Sequence, residues 1–245
     1  MDLNLKNKKI LVWGASQGIG LAVAKSFKAE GATVTVVSRS EEKLKKVCQE
    51  NNLDHYIAAD LSDVSSGVHS VEQAIKSMGH IDVFVINTGG PEKNSFENVK
   101  QSQWEIDFKS LWLTPCESLK KVLPKMKEQN FGRILLVSSI AAKEPLKDLT
   151  TSNGFRAGLT GLFKSMSNEY AEFGITFNIL CPGYTNTERI QNLNLKQEVI
   201  ESLVPAKRLG EPSELANLAA FLGSDKAAYI TGQQICIDGG ANKGF

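Results

Sequence analysis

Seven short, unbroken apolar runs alternate with amphipathic stretches along the whole chain. The runs are "KILVW" (9–13), "ATVTVVS" (32–38), "HYIAAD" (55–60), "IDVFVIN" (81–87), "GRILLVSS" (132–139), "ITFNILCPG" (175–183) and "QQICID" (233–238). A strand that is apolar at nearly every position is covered on both faces, which is the condition of a parallel sheet between two helix layers. The intervening patterns predict helices over 21–31, 40–52, 62–78, 101–129, from 152 onward, near 188–203 and over 212–223, with Pro115 and Pro124 as kinks or ends of the fourth. The expectation is one α/β domain over residues 1–245, doubly wound, with a seven-stranded parallel sheet.

The bulk properties exclude several classes. The chain has 245 residues, with 28 Lys+Arg against 27 Asp+Glu, so it carries no basic surface suited to nucleic acid. Cys48, Cys116, Cys181 and Cys236 are far apart and include no C-x-x-C pair. They read as free thiols in a reducing compartment rather than a disulfide framework or metal site. "MDLNLKNKKI" has no apolar core of a signal peptide, and no run is long enough to cross a bilayer. These features predict a cytoplasmic protein with no membrane partner.

"VWGASQGIGLAVA" follows the first strand. Gly14, Gly18 and Gly20 let the backbone approach a pyrophosphate, and the helix that starts near Gly18 aims its first amides at it. The alternative is a tight strand-to-helix turn that needs small residues. The second strand ends in "VVSRSEEK". An acid at that end accepts from the 2′-hydroxyl of NAD, whereas Ser38 and Arg39 suit the 2′-phosphate of NADP. Arg39 also reads as a loop charge paired with Glu41 or Glu42.

The spacing G-x-x-x-G-x-G, "NTGG" (87–90), "VSS" (137–139), "CPG" (181–183) and "YITGQQICIDGG" (229–240) resemble the short-chain dehydrogenase/reductase family, from about residue 5 to the C-terminus. The nearest branch by these motifs contains the 3-oxoacyl-acyl-carrier-protein reductases. The resemblance implies a single-domain Rossmann fold, a homotetramer or dimer, NADP(H) rather than NAD(H), and residues 184–210 as a substrate lid. It implies cofactor contacts at Gly14, Ser16, Gln17, Gly18, Ile19, Gly20, Ser38, Arg39, Asp60, Leu61, Asn87, Gly89, Arg156, Pro182, Gly183, Thr185 and Thr187. Asp60 also reads as an ordinary acid at a helix start.

The family reduces carbonyls with Asn, Ser, Tyr and Lys. Ser139 matches the serine. Thirteen residues on, in "TTSNGFRAGL", Ser152 stands at the tyrosine position and Arg156 at the lysine position, and counting from Trp104 puts Leu111 at the asparagine position. Ser139, Ser152 and Arg156 are therefore the candidate catalytic residues. A serine hydroxyl is far less acidic than a phenol, and an arginine stays protonated. Ser139 also reads as a strand-end hydroxyl bonded to backbone, and Ser152 as a helix cap. Tyr184 is an alternative acid or a pocket wall, while Lys143 and Lys147 read as solvated loop charges. His55, His69 and His80 fall at the far end of the sheet. Two functions follow: an NADP(H)-dependent reductase of a 3-oxoacyl-like or other ketone with an altered proton relay, or a nucleotide-binding sensor or partner subunit. A third, a lyase- or isomerase-type reaction on the same scaffold, is also open.

Overall fold

The computed structural model describes residues 1–244. Seven strands, β1 (Lys9–Trp13), β2 (Thr33–Ser38), β3 (His55–Ala58), β4 (Val83–Ile86), β5 (Gly132–Val137), β6 (Ile175–Pro182) and β7 (Gln234–Ile237), form one sheet in the order β3-β2-β1-β4-β5-β6-β7. Every pairing is parallel. The order reverses direction between β1 and β4, which opens a crevice there at the strand ends.

The unbroken apolar strands divide their side chains between two cores. In β1, Ile10 and Val12 face the layer of α1 (Gly18–Ala29), α2 (Glu41–Asn51) and α9 (Pro212–Leu222), while Leu11 and Trp13 face the opposite layer. That opposite layer consists of α3 (Val64–Met78), α5 (Thr114–Gln129) and α6 (Thr150–Tyr170). Trp13 packs edge-on against Phe84 at 4.9 Å between ring centroids, which anchors the sheet centre on that side.

The predicted helix over 101–129 is continuous in extent but not in type. It runs as α4 (Gln101–Phe108), a π turn at Lys109–Leu113, then α5. Pro115 has no N–H to give the Leu111 carbonyl, and the Thr114 amide reaches Lys109 instead. Pro115 therefore marks a change of winding, and Pro124 sits inside α5 without ending it. The predicted segment 188–203 resolves into α7 (Glu188–Gln191) and α8 (Gln197–Leu203). α6 begins at Thr150, two residues before the predicted start, which places Ser152 in its first turn. Among the described residues no helix is long and apolar enough to cross a membrane.

Candidate functional site

Parallel strands all end on one edge, so the loops that follow them gather there. Two adjoining clefts of about 760 Å³ and 430 Å³ open along that edge and share Gln17 and the segment from Asn87 to Gly90.

The glycine loop forms the floor between them. Gly14 has φ +61, and a Cβ there would run into the Asn87 carbonyl oxygen. A Cβ on Gly20 would strike the Gly14 carbonyl, and Asn87 donates from Nδ2 to that same carbonyl at 3.2 Å. The loop, α1 and the end of β4 thus meet backbone to backbone. Gln17 is the N-cap of α1, extended, and no side chain caps the helix. The first amides of a twelve-residue helix are left facing the clefts, a ready anion site.

The larger cleft is lined by Ser16, Ser38, Arg39, Ser40, Lys43, Asp60 and Leu61, together with Gly14, Gln17, Asn87 and Gly89. The buried Ser38 hydroxyl has no partner among the described residues. Asp60 accepts from the Ser62 amide at 2.9 Å and the Ser62 hydroxyl at 2.8 Å. Those hydrogen bonds, with the charge of Arg39, hold its carboxyl below the usual carboxylate range against some desolvation. Asp60 does not cap the following helix; Asp63 does, accepting from the Ser66 amide at 2.7 Å.

Lys43 and Asp107 are among the groups in this cleft that escaped the sequence reading. Lys43 lies four residues after Arg39, in the first turn of α2, and its Nζ approaches Gln17 Oε1 at 3.5 Å. Its signal was the second cation in "SRSEEK", in the first turn of the helix that follows Arg39. Asp107 is buried in the wall, with Oδ1 accepting from Gln103 Nε2 at 2.7 Å and Oδ2 unpartnered. Nothing in the local pattern marked it.

The smaller cleft collects Gly18, Ile19, Ser139, Ser152, Arg156, Pro182, Gly183, Tyr184, Thr185 and Thr187. Ser139, just past β5, accepts from the Ala141 amide at 3.1 Å, so its own proton is free. Ser152 is not the helix cap; the N-cap is Leu149, and Ser152 is buried within the first turn. Arg156 Nε donates to Ser152 Oγ at 3.1 Å, and its Nη1 donates to the Val137 carbonyl at 3.4 Å. Burial, with a further push from Arg189, lowers the Arg156 pKa to about 10, while Cys181 pulls it upward. Cys181 lies beneath, its thiol pushed up to about 11 chiefly by burial.

Leu111 does not reach either cleft; it is 2% exposed, packed inside the π turn. Lys143 and Lys147 are exposed and line neither cleft. His55 opens β3, His69 is on α3, and His80 sits 3.3 Å from Asp82 just before β4, all away from the clefts. Arg189 and Lys93, both on the wall of the smaller cleft, were not anticipated.

A family model described as enoyl-(acyl carrier protein) reductase matches residues 14–242. 3-Oxoacyl-[acyl-carrier-protein] reductase FabG of Vibrio harveyi is 35% identical over 243 residues, covering 97% of this chain and 98% of that protein. The chain belongs to the short-chain dehydrogenase/reductase family. Oxidoreductase UcpA of Salmonella typhimurium is 34% identical over 254 residues, 97% of this chain and 95% of its own. Among solved structures, YwfH, an NADPH-dependent reductase involved in bacilysin biosynthesis, superposes with a TM-score of 0.93 at 30% identity, covering 98% of this chain and 100% of that one. L-Sorbose reductase from Gluconobacter frateurii, complexed with NADPH and L-sorbose, superposes at 0.94 with 27% identity and 100% coverage of both chains.

Proposed function

We propose that this protein is an NADP(H)-dependent oxidoreductase that reduces a carbonyl with an atypical proton relay. The observation that carries this reading is one continuous groove from the end of β2 to the start of α6. At one end stand Arg39 and Lys43 beside the orphaned Ser38 hydroxyl; at the other stand Ser139, Ser152 and Arg156. The two similar reductases crystallised or described with NADPH support the choice of nicotinamide.

The residues fit that cofactor. The uncapped amides of α1 and the glycine floor suit a pyrophosphate. Ser38, Arg39 and Lys43 would hold a 2′-phosphate, with Arg39 able to do so bidentately. Asp60 and Leu61 would face the adenine, Asn87 and Gly89 the ribose side, and Pro182, Gly183, Thr185 and Thr187 the nicotinamide end. When bound, the cofactor supplies a hydride to the carbonyl carbon.

The chain's own residues manage the charge that then develops on oxygen. Ser139 spends its lone pair on the Ala141 amide and keeps its proton to donate to the carbonyl oxygen. Arg156, fixed by Ser152 and Val137, places a cation in a buried site, where it stabilises negative charge more strongly than in water. Ser152 accepts from Arg156, so its hydrogen is left to orient a water, and that water relays a proton from solvent to the carbonyl oxygen. Where relatives of this family carry Tyr and Lys, this chain has Ser152 and Arg156. Loss of a general acid costs on the order of 10²–10⁴ in rate, so turnover is slow.

Residues 184–210 act as the lid. α7 already reaches across, with Arg189 Nη2 donating to the Pro91 carbonyl at 3.2 Å. Assembly of two or four copies would cover the open edge at β7, whose four residues are only half-buried.

A second reading, nucleotide binding without turnover, draws on Leu111, which is packed in the core where the family's asparagine would stand. Single-turnover NADPH oxidation by purified protein, with a panel of ketones, diketones and 3-oxoacyl thioesters, separates the two. Oxidation that disappears in Ser139→Ala supports the reductase. Binding of NADPH without oxidation of any substrate supports the sensor.

A further inference from the structure

Two arginines are buried among the described residues, and they differ in what they satisfy. Arg133 sits at the start of β5, where its Nε donates to the Ser224 carbonyl at 3.1 Å and its Nη1 to the carbonyls of Gly132 and Gly174, each at 2.9 Å. Its guanidinium also stacks over Phe131 at 4.3 Å. That arginine ties loops together and faces no cleft. Arg156 is 6% exposed, and its partners are one hydroxyl and one carbonyl. Among the described residues no hydrogen bond uses its Nη2 and no carboxylate pairs with it, and it lines the smaller cleft. A buried cation without a counterion is costly unless something anionic completes it.

The surroundings add positive charge. Arg189 packs on Gly90, where a Cβ would meet its Nη1, and it lies near enough to Arg156 to lower that group's pKa further. Lys93 stands on the same wall, and among the described residues Glu188 is the one carboxylate facing this cleft. The remaining wall is apolar at Leu149, Ile190 and Leu193.

We propose that the smaller cleft takes an oxo acid, a substrate with a carboxylate beside the reducible carbonyl, and that Arg156 and Arg189 hold the acid group. This rests on the oxidoreductase reading above. In a 2-oxo acid the carbonyl oxygen and one carboxylate oxygen lie side by side, so one guanidinium can bridge them. Arg156 then serves the developing oxyanion and the carboxylate together, Arg189 takes the second carboxylate oxygen, and a short apolar tail lies on Leu149, Ile190 and Leu193. NADPH and a water-borne proton convert the oxo acid to the hydroxy acid and NADP⁺; the hydride goes to carbon and the proton to oxygen.

The test is calorimetric titration of 4-methyl-2-oxopentanoate and of its methyl ester into the protein, with and without saturating NADP⁺, which allows binding but no reduction. The acid is expected to bind about tenfold or more tighter than the ester, as one lost charge-assisted bond implies. Added salt should weaken the acid and spare the ester. Arg189→Met should abolish the preference and leave NADP⁺ affinity within about twofold, and Arg189→Lys should restore part of it. Arg189 is exposed, so these variants test the site without disturbing the core. Equal binding of acid and ester overturns the proposal. So does an Arg189→Met variant that loses NADP⁺ affinity by the same factor as the acid, because Arg189 then belongs to the cofactor's phosphates. Acid preference lost in Arg189→Met, with no NADPH oxidation by the wild type, upholds the anion site and sinks the oxidoreductase reading instead.

Discussion

Arg156 donates from Nε to the hydroxyl of Ser152, one turn earlier on α6, at 3.1 Å. The bond takes up a serine lone pair, orients the guanidinium toward the strand end, and leaves the serine proton free. A lysine in that place would lack the planar fork that reaches Ser152 and Val137 at once. The two residues form one unit, in which the serine positions the cation.

Burial of that cation has a measurable consequence. The folded-state pKa of Arg156 lies at about 10, below its ordinary value, mainly through desolvation. A base with a depressed pKa binds fewer protons folded than unfolded, so its charge opposes folding below that pKa, and the penalty fades as pH rises through it. Arg156→Met is therefore expected to be more stable than wild type at neutral pH, by about 1–3 kcal/mol. Urea melts of the two proteins should converge as pH passes about 10; a gap that stays constant would mean that burial of the charge is not the cause.

Ser152→Tyr with Arg156→Lys restores the pair that the family resemblance calls for. The cleft of about 430 Å³ in front of Ser152 leaves room for a phenol. NADPH oxidation with ketones is expected to rise by about 10²–10⁴, with a rate that depends on a single acidic group. No gain, in a double variant that still binds NADPH, would place the proton donor elsewhere.

At the end of β2, Arg39→Asp replaces the side chain proposed to hold the 2′-phosphate by one that would repel it. Affinity for NADPH is expected to fall by about 10–100-fold while affinity for NADH is held or improved. Lys43→Ala should weaken NADPH in the same sense and to a smaller degree, since Lys43 acts as a flexible point charge. Fluorescence titration with each dinucleotide reads both effects. Equal losses for NADPH and NADH would show that these side chains do not face the 2′ position.

Gly14→Ala tests the floor of the groove. The residue holds φ +61, and the new methyl would meet the Asn87 carbonyl. A loss of about 1–3 kcal/mol in unfolding free energy is expected, along with weaker dinucleotide binding. Gly161→Ala is the control: a Cβ there meets nothing within 4 Å, and its melting temperature should hold or rise.

Local patterning determined the sheet. Unbroken runs such as "ILVW" and "RILLV" must be covered on both sides, and parallel strands separated by helices follow from that requirement alone. The glycine loop was legible for a similar reason, because a positive φ and a backbone contact with Asn87 leave few residue types that fit. Ser139, Ser152 and Arg156 were singled out through the family resemblance, by counting its usual interval on from Ser139. Their orientation was not, since whether Ser152 caps α6 or faces the groove depends on where the helix starts, and Thr150 rather than Ser152 begins it. Segment ends are decided by competing contacts: here Asn153 bonds both the amide and the carbonyl of Leu146 and draws the first turn forward. The π turn at Leu111 likewise follows from how Pro115 fits into the first turn of α5. The charge of the smaller cleft was beyond any local reading. Lys93, Arg156 and Arg189 are separated by tens of residues in the chain, and only the packing of α7 over Gly90 and Pro91 brings their charges to one wall. Periodicity and backbone geometry are local properties that a sequence carries openly, whereas an electrostatic site is a sum over groups whose distances only the tertiary structure sets.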